Sequence, residues 1–489
     1  MIETSSLTDI TDQVDSNGQN GSWVVDHFSA EGAQLIIDFW PESLLFDNTP
    51  DLIRQVGNYM WEDSQKYKFG VTTYWTPNLP HTFATNRGYS INKYIPVVTD
   101  VRGSTTSSYI LDDGDEGVGF IEDYQQTLTE LNQIYLSVLT QWSENLGVQW
   151  SAQVVYNVPL DMLASIPYVN APECEMLGFE HNIDGYRQFS GSANLADKRI
   201  ISSEAGALTY RAYQQTIPEL LWDLKRSIVG SINQYIIHGY PYSGNYGNIS
   251  WPGVHHISIC LLGDGVPKVD VAFYSKSTSY EPVTTQYWPS DLVVTGYTYE
   301  YLSPDNFALP EAFVSDRIFA PNRQGFRAMV VRANDSLTVA GVNKLVGYAH
   351  DGLPIIFSGG LPSNLSGHNA SFSTSAIGLL NAVTSLENVH TVSYENLATT
   401  LSSLNISPRT AISTNGTWYT YWREDNETLT DYVFVYNDAT GVPMGQGMTT
   451  GNISFETTAT PFFYDAWTGD VTSIYSYQQS ATHTRVTLD

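Results

Sequence analysis

Three short stretches constrain this chain more than anything else in it. Tyr168-Val169-Asn170-Ala171-Pro172-Glu173-Cys174-Glu175, Arg199-Ile200-Ile201-Ser202-Ser203-Glu204-Ala205-Gly206 and Gln234-Tyr235-Ile236-Ile237-His238-Gly239-Tyr240 are each a brief apolar run that ends on an ionisable residue followed by turn-formers. Buried parallel strands read this way, delivering a side chain to the rim of a barrel. Between the second and third, Thr216 and Glu219 have capping-box spacing, and Ile217, Leu220, Leu221, Leu224 and Ile228 make one apolar helical stripe. Strand, helix, strand in a parallel sheet places every carboxyl end at one face, so Glu175, Glu204 and His238 are expected to converge. Two carboxylates on adjacent strand ends are the minimum equipment for splitting a glycosidic bond, one protonating the leaving oxygen while the other activates water or attacks.

A chain of 489 residues is too long for one core and predicts two or three domains. Residues 1–22 read as a polar lead-in or the remnant of a preceding domain. Residues 23–275 read as a (β/α)8-type barrel, 276–324 as an irregular connector, 325–410 as a small open α/β domain and 411–489 as a β-sandwich that stops in mid-strand. Within the barrel, Trp23–Phe28 predicts a strand and Ser29 caps a helix carrying Ala33, Ile36, Phe39 and Trp40. A second helix over Asp51–Tyr59 leads into the acidic cluster Glu62-Asp63. Residues 122–146 predict a long helix with Tyr124, Leu128, Leu131, Tyr135, Leu139, Trp142 and Leu146 on one face and Gly147 as its stop. Trp150–Tyr156 alternates like a strand. The α/β domain has no GxGxxG fingerprint and reads as structural.

The formal net charge of −29 arises from scarce Lys and Arg, and without a basic stripe the chain has no footprint for nucleic acid. No run of 18 or more apolar residues occurs, so no segment reads as membrane-spanning. Cys174 and Cys260 are too few for a disulfide framework and read as buried thiols. Asn-x-Ser/Thr sequons at Asn20, Asn248, Asn334, Asn364, Asn369, Asn405, Asn415, Asn426 and Asn452 predict a secreted glycoprotein. Met1 is followed by polar residues without a signal-peptide core, so such a protein is expected to lack its true N-terminus here. His255-His256 and His181 lack the spacing of a zinc helix, and no Gly-x-Ser-x-Gly elbow is present. The oligomeric state is open.

Each candidate has a plainer reading. Glu204 is a proton-transfer group, or else a strand-end carboxylate paired with Arg211. Glu175 has Glu173 and Glu180 as acidic neighbours, so the site is crowded with carboxylates or one of them holds a cation. Alternation along a strand lets at most one of Glu62 and Asp63 point into the pocket. His238 is a substrate hydrogen-bonder or a packed histidine. Trp75, in Trp75-Thr76-Pro77-Asn78-Leu79-Pro80, and Tyr240, in the Tyr-, Gly- and Pro-rich loop after His238, are candidate sugar-facing walls.

The order of Asp26-His27-Phe28-Ser29, Trp61-Glu62-Asp63-Ser64, Trp75-Thr76-Pro77, Pro172-Glu173-Cys174-Glu175, Ser202-Ser203-Glu204-Ala205-Gly206 and His238-Gly239-Tyr240-Pro241 resembles glycoside hydrolase family 106, the α-L-rhamnosidases, and in particular its fungal relatives. The resemblance implies a (β/α)8 barrel with a following α/β domain and β-sandwich, inverting hydrolysis by two glutamates, and a calcium ion in the sugar site. It makes Glu204 the general base, Glu62 the general acid and Glu175 a carboxylate beside the calcium or the sugar. One departure is present: the family often carries a further acid after the Asp-Ser pair, where this chain has Gln65-Lys66. Family members are also much longer, which implies a chain that begins partway into the fold. The expected function is a secreted glycoside hydrolase releasing terminal α-L-rhamnose. The alternatives are a carbohydrate-binding protein whose catalysis is impaired and a glycosidase for another sugar.

Overall fold

The computed structural model describes residues 25–65, 74–99, 111, 117–154, 158–179, 181–207, 215–238, 258–260, 265–278, 291–368, 370–438 and 449–488. Strands β1 (Tyr59–Glu62), β2 (Gln149–Gln153), β3 (Ala171–Glu175), β4 (Ser202–Ala205) and β5 (Gln234–Ile237) pair in chain order, all parallel, and β6 (Ser258–Cys260) adds antiparallel to β5. This is half of a (β/α) barrel. Helix Val118–Leu146 carries the chain from β1 to β2; six of its seven predicted face residues are buried and Trp142 half-buried, and Gly147 ends it in the left-handed conformation at φ 90°. Helix Ile217–Val229 carries β4 to β5. Its capping box is formed: the Thr216 hydroxyl accepts the Glu219 N–H while the Glu219 carboxylate accepts the Thr216 N–H.

The strand predicted over Trp23–Phe28 is not formed at its described residues. Described residues 25–28 form a turn, because Asp26 Oδ1 accepts the Phe28 N–H at 2.9 Å and Asp26 Oδ2 accepts the Thr76 hydroxyl at 2.5 Å. A side chain that bonds its own backbone offers the local alternative to a ladder. Ser29 caps helix Ala30–Ser43 as expected.

The second sheet starts earlier in the chain than the sequence pattern places it. Val271–Tyr274 and Tyr299–Leu302, read as barrel and connector, are two of its five parallel strands, with Ala328–Arg332, Ile355–Ser358 and Val389–Val392. In space the order is 299–302, 271–274, 328–332, 355–358, 389–392, a doubly wound order whose switch point falls between 271–274 and 328–332. Chain just past 271–274 is occupied by protein: buried Lys276 donates to Asp161 at 2.7 Å and to Gln126 at 2.5 Å.

The two sheets share helix Ile183–Leu195, which packs on strand Tyr299–Leu302. Asp184 accepts the hydroxyls of Tyr299 at 2.9 Å and Tyr301 at 3.1 Å, and the buried Arg187 guanidinium lies 4.2 Å from the Tyr299 ring centroid. Two larger antiparallel sheets and one hairpin form the C-terminal part: Thr410–Thr414, Gly451–Phe455, Thr484–Leu488 and Tyr477–Gln479 in one sheet, Thr430–Asp438, Thr417–Asp425 and Val266–Lys268 in the other, and Phe462–Tyr464 with Val471–Ser473 in the hairpin. Val266–Lys268, also read as barrel, therefore belongs to this region. Trp418 and Trp422 pack toward Gly451 and Phe455 across the gap, as in a sandwich.

A Cβ on Gly191, in the shared helix, would meet the Tyr301 carbonyl oxygen at 2.3 Å. Gly191→Ala is expected to destabilise the protein by about 1–3 kcal/mol. Gly378, in the exposed middle of helix Ala370–Val383, has nothing within 4 Å of its Cβ position, so Gly378→Ala should instead stabilise by about 1 kcal/mol. Thermal unfolding of the two variants should move in opposite directions; a Gly191→Ala midpoint at or above the parent's would remove this account of the helix–sheet join.

Candidate active site

Register and parity build the site. In parallel β3 and β4, Glu173 pairs with Ser202 and Glu175 with Glu204; in β2 and β3, Gln153 pairs with Glu173, and in β1 and β2, Trp61 pairs with Ser151. Successive side chains alternate faces, so Trp61, Gln153, Glu173, Glu175 and Glu204 share one face at the carboxyl ends of the strands. The opposite face is lined by Met60, Cys174 and Tyr235, all buried, with the Tyr235 hydroxyl 2.6 Å from Ser227 of helix Ile217–Val229. Cys174 is a free thiol there, and burial pushes it far above its ordinary range.

The shared face is wired together. Glu173 Oε1 accepts from the Trp61 indole at 2.8 Å and the Gln153 amide at 3.2 Å, and its Oε2 accepts the Ser202 hydroxyl at 2.7 Å. The same Gln153 nitrogen donates to Glu204 Oε2 at 2.6 Å, and His238 Nε2 lies 3.1 Å from Glu204 Oε1. Burial pushes Glu204 up to about 7 against the Gln153 bond, which favours ionisation, and the negative charges of Asp63, Glu175 and Glu173 push the same way as burial. Burial also raises Glu173, opposed by its bonds from Ser202, Trp61 and Gln153.

The predicted candidates separate accordingly. Glu175, Glu204 and His238 come together at neighbouring strand ends. Asp63 joins them electrically, since its charge acts on both Glu204 and Glu173. Glu62 does not share this face. It has the parity of Met60, accepts the Tyr135 hydroxyl of helix Val118–Leu146 at 2.8 Å and sits 3.7 Å from His27 Nε2. Burial lifts it to about 7, opposed by hydrogen bonds from Tyr135, Trp150 and Gln65, and holds His27 down at about 4. The physical reason is the alternation that forbids Glu62 and Asp63 from pointing the same way.

Trp75 is half-buried and packs on the core. Tyr240, Lys66, Glu180 and Arg211 lie outside the described residues. Among the described residues no three His, Cys, Asp or Glu side chains are arranged to hold a metal ion. Glu173, the most enclosed carboxylate of the face, has both oxygens committed to hydrogen-bond donors and so has none free for calcium. Glu173, which sequence reasoning named only as an acidic neighbour, and Gln153 and Trp61, to which it gave no role, are the members it did not place. The two-residue step from Glu173 to Glu175 was the available signal for the first, and nothing local marks Gln153. Trp61 is 46% exposed on the open side of the sheet, with its indole nitrogen anchored.

No protein-family model matches the chain, and no curated protein matches it significantly. Among solved structures it is similar to a rhamnosidase from Novosphingobium sp. PP1Y, at 15% identity and a TM-score of 0.73 over 96% of this chain and 47% of that one. It is also similar to a GH42 β-galactosidase from G. stearothermophilus in a catalytic-mutant form, at 7% identity and 0.50 over 95% and 81%. A β-galactosidase from Bacillus circulans sp. alkalophilus matches at 9% identity and 0.50 over 99% and 88%. At these identities the likeness is one of fold alone: the chain shares the barrel architecture of these structures and spans about half the length, 47%, of the rhamnosidase.

Glu62 tests the electrostatics without touching the shared face. Its folded pKa, about 7, lies above the unfolded value of 4.5, so the stability it contributes is complete below about pH 4.5 and is lost as pH rises through about 7. Glu62→Gln, which is never charged, should therefore gain thermal stability relative to the parent between pH 5 and pH 8. Melting curves that stay parallel across that range would show that burial does not perturb this carboxyl.

Proposed function

We propose that this chain is the catalytic region of a secreted glycoside hydrolase that releases terminal α-L-rhamnose with inversion. The supporting observation is Glu204, a carboxyl with a pKa near neutrality at a strand's carboxyl end, register-paired with Glu175 and facing Asp63. The fold likeness to a rhamnosidase and the family-106-like motifs support the choice of sugar.

Donors face both Glu204 oxygens, Gln153 at one and His238 at the other, and this favours the ionised form that a general base requires. In the proposed reaction Glu204 takes a proton from water as the water oxygen bonds to the anomeric carbon. The bond from that carbon to the leaving oxygen breaks, and Asp63, just past the end of β1 and acting in its protonated form, gives its proton to the leaving oxygen. Trp61 offers its exposed ring as a stacking surface for the sugar, and Glu175 accepts sugar hydroxyls beside the base. A base of pKa about 7 makes kcat/KM rise as pH approaches neutrality.

Secretion is supported by the sequons. Asn334, Asn364, Asn405, Asn415 and Asn426 are exposed and Asn452 half-buried, while Asn20, Asn248 and Asn369 lie outside the described residues. Chain expressed through a eukaryotic secretory pathway should lose mass on peptide N-glycosidase treatment; an unchanged mass would count against this part of the proposal.

The reaction is tested on an aryl α-L-rhamnoside. Glu204→Gln and Asp63→Asn should each lower kcat by about 10²–10⁴-fold with the fold retained, and NMR should show the β-anomer first. Glu62→Gln should keep most of the turnover. Hydrolysis indifferent to Glu204→Gln would end the proposal. A rhamnose-induced thermal shift without turnover would favour a carbohydrate-binding protein instead.

A further inference from the structure

At the amino end of β4, away from the carboxylates, a hollow of about 280 Å³ opens between three parts of the molecule. The loop from helix Ile183–Leu195 to β4 supplies Lys198 and Arg199, the turn before Ala328–Arg332 supplies Arg323, and strand Thr417–Asp425 supplies Arg423. In a chain with only 22 Lys and Arg and a net charge of −29, four cations line this one hollow, with Asp197 as the carboxylate among its lining residues. Such a concentration against the overall charge costs repulsion that a packed interior would avoid.

Two of these cations, Lys198 and Arg323, keep donors that the described residues do not use. Arg423, 6% exposed, is fixed in place, donating to the Tyr421 hydroxyl at 2.6 Å and to the Gly265 carbonyl. Arg323 pairs with Asp197 through one terminal nitrogen, while its Nε is buried without a hydrogen-bond partner. Lys198 makes no side-chain hydrogen bond or ion pair among the described residues. Burial pulls its ammonium below its ordinary value, and the charges of Glu144 and Asp197 only partly oppose this. A desolvated ammonium and an orphaned guanidinium N–H around one opening are the donor set of an anion site.

We propose that this hollow binds an oxyanion, carried as a carboxylate or a phosphate on a molecule no larger than a monosaccharide. Lys198 supplies the charge, Arg323 Nε a directed donor and Arg423 a rigid wall. The volume sits at the small end of ligand pockets, which excludes a polymer chain lying through it. The site is independent of the hydrolase reading, because it occupies the other end of the sheet from Glu204.

Calorimetric titration of the whole chain at low salt with inorganic phosphate, with glucuronate and with neutral glucose tests it. Phosphate or glucuronate should bind saturably at one site, and Lys198→Met or Arg323→Gln should weaken that binding about tenfold or more. Whichever of phosphate and glucuronate binds more tightly identifies the carrier. Glu204→Gln should leave anion binding unchanged, which separates this hollow from the sugar site, and thermal midpoints near the parent's will show that the variants fold. The proposal is overturned if neither anion saturates by about 20 mM. It is equally overturned if both cation variants bind like the parent, or if Glu204→Gln abolishes the binding.

Discussion

A side chain on a strand of a packed parallel sheet has two directions available, toward the covering helices or toward the open ends, and which one it takes is settled by counting residues. Everything about the candidate site follows from that constraint. Glu173, Glu175 and Glu204 stand on one side because β3 and β4 pair as they do, and a slip of a single residue would send all three into the apolar layer that holds Cys174 and Tyr235. Glu62 shows the other outcome. It is a carboxyl at the right height on the wrong side, kept by the Tyr135 hydroxyl and raised by burial.

Much of this was legible beforehand. The three runs that end on an ionisable residue became β3, β4 and β5, and the helix between the last two carries the capping box its residues announced. These features are local, so a sequence states them directly. The strand at 299–302 was not legible, because Tyr299-Glu300-Tyr301 looks irregular until Asp184 and Asn194, more than a hundred residues away, are seen to satisfy the polar ends. Gln153 was invisible for the same reason: an amide in a short strand carries no signal until the strands on either side bring it two carboxylates. The strand expected over 23–28 is a turn at its described residues, 25–28, because apolar residues alone do not make a ladder when an aspartate can close its own turn.

The half-barrel does not stand by itself. Helix Ile183–Leu195 is buried along its whole length, covering the first sheet while serving as a face for the second, with Gly191 allowing the close approach to Tyr301. Buried charge at this join is matched within it, since Arg187 has Asp184 and two tyrosine rings around it. The two sheets are therefore expected to gain and lose order together.

Gln153 has one amide nitrogen and two carboxylates that want it. When one of them takes up a proton its claim on the nitrogen weakens and the other's strengthens, so neither acid keeps a private affinity for hydrogen ions. Titration of this hollow should unfold in two macroscopic steps owned jointly by Glu173 and Glu204. The rising limb of a rate profile measured on this chain would then report the couple, and editing one amide would shift that limb.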